Sequence, residues 1–368
     1  MKKNKNFSIG IIGLGYVGLP LALNFSKKFE VYGYDKSISR VNELKKNYDK
    51  NNEISKNDIK NSNIKITSNF NSLKACNFYI ICVPTPLYKN SKKPDLSLLK
   101  DAVKKISNII KKNDTIVIES TVYPGATEEI VPSILIKKNF RINKDFFLGY
   151  SPERINPGDK KNRLNNSIKI CASNNRTALK RITLIYKSII KNVFTLNNIK
   201  TAEMAKVIEN IQRDINISFI NEVALICNKL GISTDEVLRS ASTKWNFINF
   251  RPGLVGGHCI GVDPYYLLEK CKKIKYFPKM INAGRDLNEN MHKKIFNLGL
   301  NFFKKKIKKN ISNLKILIVG ASYKEEVNDL RNSGSEKLYN LSIKKYDTYV
   351  YDPMVQMKYG KKIYKNNF

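Results

Sequence analysis

The stretch Phe7-Ser8-Ile9-Gly10-Ile11-Ile12, followed by Gly13-Leu14-Gly15-Tyr16-Val17-Gly18, decides how the first part of this chain folds. A short apolar run ends at three glycines in G-x-G-x-x-G spacing, and Leu19 to Phe29 continues with the apolar spacing of a helix. The glycines therefore fall at a strand-to-helix junction. Small residues there allow a tight turn and close approach, and the helix N-terminus faces an anion. The next apolar strand, Val31-Tyr32-Gly33-Tyr34, ends in Asp35, twenty residues after Gly15. A carboxylate at that point accepts hydrogen bonds from adenosine ribose hydroxyls and repels a 2′-phosphate, which predicts NAD as cofactor rather than NADP.

Further strands are predicted at Phe78–Val83, Thr115–Glu119 and Asp145–Gly149. Each runs into turn chemistry: Pro84-Thr85-Pro86, Ser120-Thr121-Val122 and Ser151-Pro152-Glu153-Arg154. In a doubly wound sheet such loops follow the carboxyl ends of the strands, where ligands bind. Cys76 and Cys82 read as core residues, because free cysteine packs as a small hydrophobe.

From Thr201 to about Leu230 a helical pattern runs without Pro or Gly until Gly231, which suits a C-cap. Met204, Val207, Ile208, Ile211, Ile215, Val223 and Ala224 supply its apolar surface. Lys206 and Asn210 stand at i, i+4 and share a face, which is either a solvated polar stripe or a pair aimed into a cleft. Beyond it, Phe250-Arg251-Pro252-Gly253-Leu254-Val255-Gly256-Gly257-His258-Cys259 holds three glycines and a proline in ten residues, too loop-like for a helix or central strand. A cysteine on such a turn can be approached closely by substrate, and neighbouring backbone N–H groups favour its thiolate. Asp263, four residues on, is placed to orient a water or an amine. His258 is one of only two histidines. Adjacent side chains diverge, so sugar contact or loop packing suits it better than service as the base for Cys259. His292 reads as an ordinary surface or helix residue.

A nicotinamide enzyme that oxidises an alcohol to a ketone needs no nucleophile. One that carries an alcohol through to a carboxylate does, because an aldehyde must form a hemiacetal-like adduct before giving up a second hydride. The pairing of fingerprint and cysteine points to that second class.

Composition sets the remaining bounds. At 368 residues the chain has room for two or three domains, and 42% hydrophobic content is ordinary for a globular protein. The formal charge of +35 raises the question of nucleic acid, yet only eleven of the 66 basic residues are arginine and the lysines are scattered through every segment. Phosphate and base recognition favours clustering and arginine, so no nucleic-acid partner is expected, while an acidic small substrate gains from the field. The six cysteines form no CxxC pair, which indicates neither a metal site nor a disulfide framework and fits a reducing cytoplasm. Met1-Lys2-Lys3 before an apolar run has the look of a signal peptide, but the fingerprint glycines interrupt the run. No apolar stretch reaches the length of a membrane span, so no membrane insertion is expected.

Taken in order, GLGYVGLPLA, Asp35, VPTP, Ser120-Thr121-Val122, SPERINPG, AEMAKVIEN, GLVGGHCIGVDPYYL and YKEEVNDLRNS resemble the UDP-glucose/GDP-mannose dehydrogenase family over residues 7 to about 354. The wording of the cysteine loop and of Thr243-Lys244-Trp245-Asn246-Phe247 is most similar to the branch acting on UDP-N-acetylglucosamine or UDP-N-acetylgalactosamine for capsule, Vi-antigen or O-antigen. The resemblance implies an α/β chain with an N-terminal Rossmann-like NAD domain (1–196), a central long-helix domain for dimerisation and catalysis (197–300) and a second, incomplete Rossmann-like UDP-binding domain (301–368). It implies a homodimer or higher oligomer, and a four-electron oxidation of the sugar's carbon 6 to a carboxylate by two NAD in succession and water. By the same resemblance Cys259 attacks the aldehyde, Lys206 and Asn210 stabilise oxyanions, Asp263 and Thr121 place the hydrolytic water, and Glu153 serves as base or in thioester hydrolysis. Cofactor contacts would be Gly13, Gly15, Tyr16, Val17, Gly18, Asp35, Arg40, Thr85, Thr121 and Arg331. Substrate contacts would be Glu153, Arg154, Lys206, Asn210, Arg251, Gly256, Gly257, His258 and Lys324.

Two departures accompany the resemblance. UDP-glucose enzymes carry a second glutamate where this chain has Pro157, so hydrolysis is not assigned to two carboxylates. Family members also continue past the second βαβ-like beginning, Leu314–Gly320 and Thr348–Asp352, whereas this chain stops at Phe368. A sheet cut after two or three strands leaves an open edge and apolar surface. The alternatives that follow are a UDP-glucose 6-dehydrogenase, which shares the chemistry, or a truncated, inactive nucleotide-binding protein.

Overall fold

The computed structural model describes residues 6–51, 53–88, 90–154, 167–307, 314–325 and 330–353, and Pro157 lies outside them. The chain divides into two compact units, Met1–Val207 and Ile208–Phe368.

In the first unit, β1 (Ser8–Ile12) leads through the glycine turn into α1 (Gly18–Ser26) and β2 (Glu30–Tyr34). There follow α2 (Ile38–Lys45), α3 (Lys56–Lys60), β3 (Ile64–Thr67), β4 (Phe78–Ile81), α4 (Ser97–Ile106) and β5 (Asp114–Ile118). The unit continues with α5 (Ala126–Leu135), β6 (Phe146–Tyr150), β7 (Lys169–Ala172), α6 (Arg176–Lys187) and β8 (Val193–Leu196). The sheet runs β3-β2-β1-β4-β5-β6-β7-β8, and among the described strands β6–β7 is the antiparallel pairing. The first six strands thus have the 3-2-1-4-5-6 order of a dinucleotide-binding sheet, whose order reverses between β1 and β4. The burial pattern follows from that topology. Strands covered by helices on both faces read as continuous apolar runs, and Ile9, Ile11, Phe78, Ile80 and Val117 are fully buried among Leu19, Leu21 and Phe25 of α1.

The long helix α7 (Ile199–Leu230) ends just before Gly231, and it is followed by α8 (Thr234–Ala241), α9 (Asp263–Lys273) and a second long helix, α10 (Lys279–Ile307). The face that α7 buries differs from the apolar one expected. Met204 and Ile208 are exposed, whereas Glu203, Asn210, Asp214 and Asn221 are buried beside Val207 and Ile211. Buried polar groups persist only when hydrogen-bonded, and each of these four is. Glu203, for instance, accepts from the backbone N–H groups of Gly125 and Thr127 at the start of α5. Its carboxyl is pushed up to about 7 by burial, against the pull of those donors.

The last described elements are β9 (Lys315–Val319), α11 (Gly334–Ser342) and β10 (Asp347–Tyr351), with β9 and β10 paired in parallel. They repeat the opening of the chain in two backbone features. Gly13 (φ 96°) and Gly320 (φ 90°) end their strands in the left-handed region. Each donates its N–H over 2.8 Å to the tyrosine carbonyl that closes the neighbouring strand, Tyr34 or Tyr351. The next residue in each case, Asp35 or Asp352, accepts from the backbone N–H after the glycine, Leu14 at 2.9 Å and Ala321 at 2.8 Å. Among the described residues, Leu317 and Val319 on β9 are exposed.

Candidate active site

The candidate cofactor site is built at the β1/β4 reversal of the first unit. Cys82 N donates to Ile12 O, which brings the end of β4 under the glycine turn. A Cβ on Gly13 would meet Cys82 O at 2.8 Å, and one on Gly18 would lie 1.8 Å from Gly13 O. Gly15 differs, because a Cβ there would meet nothing within 4 Å. Gly13 and Gly18 are therefore required by the protein's own packing, and Gly15 leaves an open face at the head of α1. That open face, the helix N-terminus and the carboxylate of Asp35 together form a donor and acceptor set that fits a dinucleotide: amides for the pyrophosphate, a carboxylate for the ribose.

Asp35 also braces the turn, since Oδ2 accepts from Leu14 N and Oδ1 from Ser37 N at 2.9 Å. Each oxygen keeps a second lone pair for a ribose hydroxyl. Arg40 is 5% exposed and lies behind the turn rather than open beside it. Its Nε donates to Leu14 O at 2.9 Å, and its Nη1 pairs with Glu43 at 2.5 Å and Asp49 at 2.8 Å. Thr85 and Thr121 are brought together by the neighbouring ends of β4 and β5, with Thr85 Oγ1 donating to Thr121 O at 2.8 Å. Tyr16 and Val17 complete the turn, and Leu21 N returns to Val17 O. Glu153 is half-buried and accepts at Oε1 from Arg154 N at 2.6 Å, while exposed Arg154 reaches Ile168 O at 3.3 Å.

Asp35 yields a direct prediction. Replacing NAD by NADP sets a phosphate against this carboxylate, so activity with NADP should fall by about 100-fold or more, and Asp35→Ser should narrow the gap. Equal rates with the two cofactors would remove Asp35 from the ribose site.

Cys259 and its partners lie in the second unit. Cys259 sits in a turn that leads directly into α9, and its carbonyl accepts from Val262 N at 3.0 Å and Asp263 N at 2.9 Å. Asp263, the first residue of α9, is 3% exposed and accepts at 2.5 Å from Asn210 Nδ2. Arg213, one turn further along α7, donates to Asn210 Oδ1 and so fixes which end of the amide faces Asp263. Lys206 is half-buried one turn before Asn210. The structure thus joins Asn210 and Asp263 directly, and Arg213 is a partner that its sequence position did not signal.

The cysteine loop is held at both ends. Asn221, fully buried on α7, pairs its amide with the Gly253 peptide, donating to the carbonyl at 3.0 Å and accepting from the N–H at 2.8 Å. Asn221 is itself held by Asn288, which bonds Asp214, and Asp214 pairs with Arg285 at 2.6 Å. At the other end Gly257 N donates to Arg331 O at 3.2 Å, and Asn332 Nδ2 donates to Gly257 O at 3.0 Å. Tyr323 then covers the glycines: a Cβ on Gly256 or Gly257 would fall within 3 Å of its side chain. The His258 ring meets Tyr323 edge to face, centroids 6.0 Å apart. Arg251, Lys324 and Arg331 are exposed, and Arg331 enters this arrangement through its backbone carbonyl. Asn221, Tyr323 and Asn332 were not foreseen, because side-chain pairing with a distant backbone has no local sequence pattern.

Among the described residues no group of three or more His, Cys, Asp or Glu could hold a metal ion, and no helix is long and apolar enough to cross a membrane.

Comparison with known proteins identifies the family. Residues 7–190 match the NAD binding domain of the UDP-glucose/GDP-mannose dehydrogenase family, and residues 200–290 match that family's central domain. UDP-N-acetyl-D-glucosamine 6-dehydrogenase of Salmonella typhi is 45% identical over 96% of this chain and 84% of its own length. Protein CapL of Staphylococcus aureus is 47% identical over 89% of this chain and 77% of its own. Among solved structures, the UDP-D-ManNAc dehydrogenase of Pyrococcus horikoshii superposes with a TM-score of 0.88 at 31% identity, covering 95% of this chain and 84% of that one.

Proposed function

This chain belongs to the UDP-glucose/GDP-mannose dehydrogenase family, and we propose that it oxidises carbon 6 of a UDP-N-acetylhexosamine, UDP-N-acetylglucosamine or UDP-N-acetylgalactosamine, to the carboxylate. The observation that carries the reading is Cys259 one helical turn before buried Asp263, whose carboxylate takes the amide of Asn210. Similarity to the Salmonella typhi enzyme supports the acetylated sugar.

Bound NAD supplies the hydride acceptor for each of the two oxidations. Gly13 to Gly18 and Asp35 hold it, with Thr85 and Thr121 at the adjoining strand ends and Arg40 bracing the turn from behind. The first oxidation converts the alcohol to an aldehyde and releases a proton. The Cys259 thiolate then adds to the aldehyde carbon, and the resulting oxyanion is stabilised by Lys206 and by Asn210. Preorganised donors of this kind are typically worth ~3 kcal/mol each. Loss of the second hydride leaves a thioester. Water, placed by Asp263 and Thr121 with Glu153 as base, displaces the Cys259 thiol and leaves the carboxylate. The sum is one alcohol, two NAD and one water giving one carboxylate, two NADH and three protons.

Glu153, Arg154, Lys206, Asn210, Arg251, Gly256, Gly257, His258 and Lys324 are assigned to the nucleotide sugar, and Arg331 to the cofactor. The reading divides the chain into an NAD domain (1–196), a helical catalytic domain (197–300) and a UDP-binding segment (301–368). It places the enzyme in a reducing cytoplasm, which the six free cysteines support. The exposed Met204, Ile208, Phe219, Ile226 and Leu230 on α7 support a homodimer or higher assembly through that helix.

Incubation of the chain with NAD and each of UDP-N-acetylglucosamine, UDP-N-acetylgalactosamine and UDP-glucose tests this. Two NADH per acetylated sugar are expected, with UDP-glucose at least tenfold slower, roughly the discrimination one substituent provides. One NADH per sugar would refute the four-electron reaction, and preference for UDP-glucose would reassign the substrate.

A further inference from the structure

Glu119, Lys169 and Tyr186 stand outside every site assigned above, yet they form a buried charged cluster at the loop ends of the first unit's sheet. Glu119 and Lys169 are each 2% exposed and Tyr186 is fully buried. Lys169 Nζ pairs with Glu119 Oε2 at 2.5 Å, and the Tyr186 hydroxyl donates to Glu119 Oε1. The same ammonium donates to Pro152 O at 2.9 Å and lies 5.4 Å from the centre of the Tyr186 ring. Burial pushes the Glu119 carboxyl up to about 7, against the pull of Lys169.

Burying an ion pair is seldom the cheapest way to fill a core, because the desolvation of both charges offsets most of their attraction. The location of this pair supplies another reason for it. Glu119 follows β5 directly and leads into Ser120 and Thr121, while Pro152 is the residue before Glu153. Ser151 is stitched between the same strands, with N donating to Ile118 O at 2.9 Å and Oγ to Ile170 O at 2.7 Å. An ammonium has three donors, so it can pair with a carboxylate and still donate to a carbonyl.

We propose that Lys169 is a positioning residue: held by Glu119, it grips the Pro152 carbonyl and fixes the backbone from which Glu153 projects. The proposal rests on the role given to Glu153 above and adds that its carboxylate is aimed by an ammonium in the next strand of the sheet. Lys169 touches neither substrate nor cofactor in this scheme.

The test uses the full chain carrying Glu119→Gln together with Lys169→Met, which removes both charges and strands neither. Amide hydrogen exchange of the peptide spanning 146–154 is read beside kcat and KM for the UDP-sugar. Exchange at 151–154 should accelerate by about tenfold while the rest of the sheet holds. kcat should fall by about tenfold or more with KM within about twofold, and adding Glu153→Gln should lower kcat little further. A folded double variant with parental exchange and parental kcat would overturn the proposal, as would a Glu153→Gln effect that multiplies in full with the double change. Should the double variant not fold, Lys169→Met alone removes the donor to the Pro152 carbonyl while the Tyr186 hydroxyl still reaches Glu119, and exchange at 151–154 must again accelerate by about tenfold. Parental exchange there would overturn the proposal. If the parent makes no NADH from any sugar, the functional reading fails, and hydrogen exchange still decides whether Lys169 holds the loop.

Discussion

Cys259→Ser is expected to yield no more than one NADH per sugar and to lower carboxylate formation by about 1,000-fold or more. The reason lies in the chemistry of the second hydride. An aldehyde carbon gives up its hydrogen only after a nucleophile has made it tetrahedral, and a serine hydroxyl is almost entirely protonated where a thiol is partly ionised. The substitution is small, and the Cys259 carbonyl that receives Val262 and Asp263 is untouched, so the loop should keep its shape. Melting temperature and NAD affinity should therefore stay close to those of the parent. Mass spectrometry of the sugar and counting of NADH decide the matter. Carboxylate made at the parental rate would remove the covalent mechanism and leave Cys259 as a packing residue.

Gly18→Ala is the second substitution with a large expected effect. Its Cβ would have to occupy a point 1.8 Å from Gly13 O and 3.2 Å from the Cys82 Cβ. The nearer obstacle is backbone, so nothing flexible can yield, and either α1 or the turn must shift. Such forced displacement of well-packed backbone costs roughly 3 kcal/mol. Because Leu14 N is held by Asp35, a shift of the turn also disturbs the ribose carboxylate. NAD affinity, read by fluorescence titration, should fall by about 100-fold. Gly15→Ala is the informative contrast. Its Cβ points into open space, so the fold should tolerate it, and any loss of affinity then reports crowding of the cofactor alone. NAD affinity of Gly18→Ala within about threefold of the parent would show that the turn is not the pyrophosphate site.

The two substitutions also separate the halves of the reaction. Cys259→Ser should keep cofactor binding and lose the second oxidation. Gly18→Ala should lose the cofactor with the thiol intact, so its Cys259 should still react with iodoacetamide at a rate close to that of the parent. The cysteine loop takes its shape from Asn221, Tyr323 and Asn332, all in the second unit, so damage to the glycine turn leaves those contacts unaltered.

What could be read from the amino-acid order follows from how local each signal is. The glycine turn, Asp35 and the strands around them are legible because strand, turn and helix chemistry lie within some thirty consecutive residues, and because only glycine fits at Gly13 and Gly18. The cysteine loop is legible for the same reason. The face of α7 was not, since spacing alone could not tell whether Lys206 and Asn210 share a solvated stripe or a buried one. The tertiary structure decided it by supplying partners: Asp263 for Asn210, Arg285 for Asp214 and the Gly253 peptide for Asn221. Polar groups that would otherwise demand water are stable inside once paired, while Met204 and Ile208, having no such requirement, are left outside. The pairing of Lys169 with both Glu119 and Pro152 was likewise invisible, because the three residues are separated in the chain and meet only where β5 and β6 end beside the start of antiparallel β7. By itself, then, the sequence determined the nucleotide-binding turn, the thiol-bearing loop and the family. Only the fold determined which charges are buried, because burial depends on distant partners that no local spacing records.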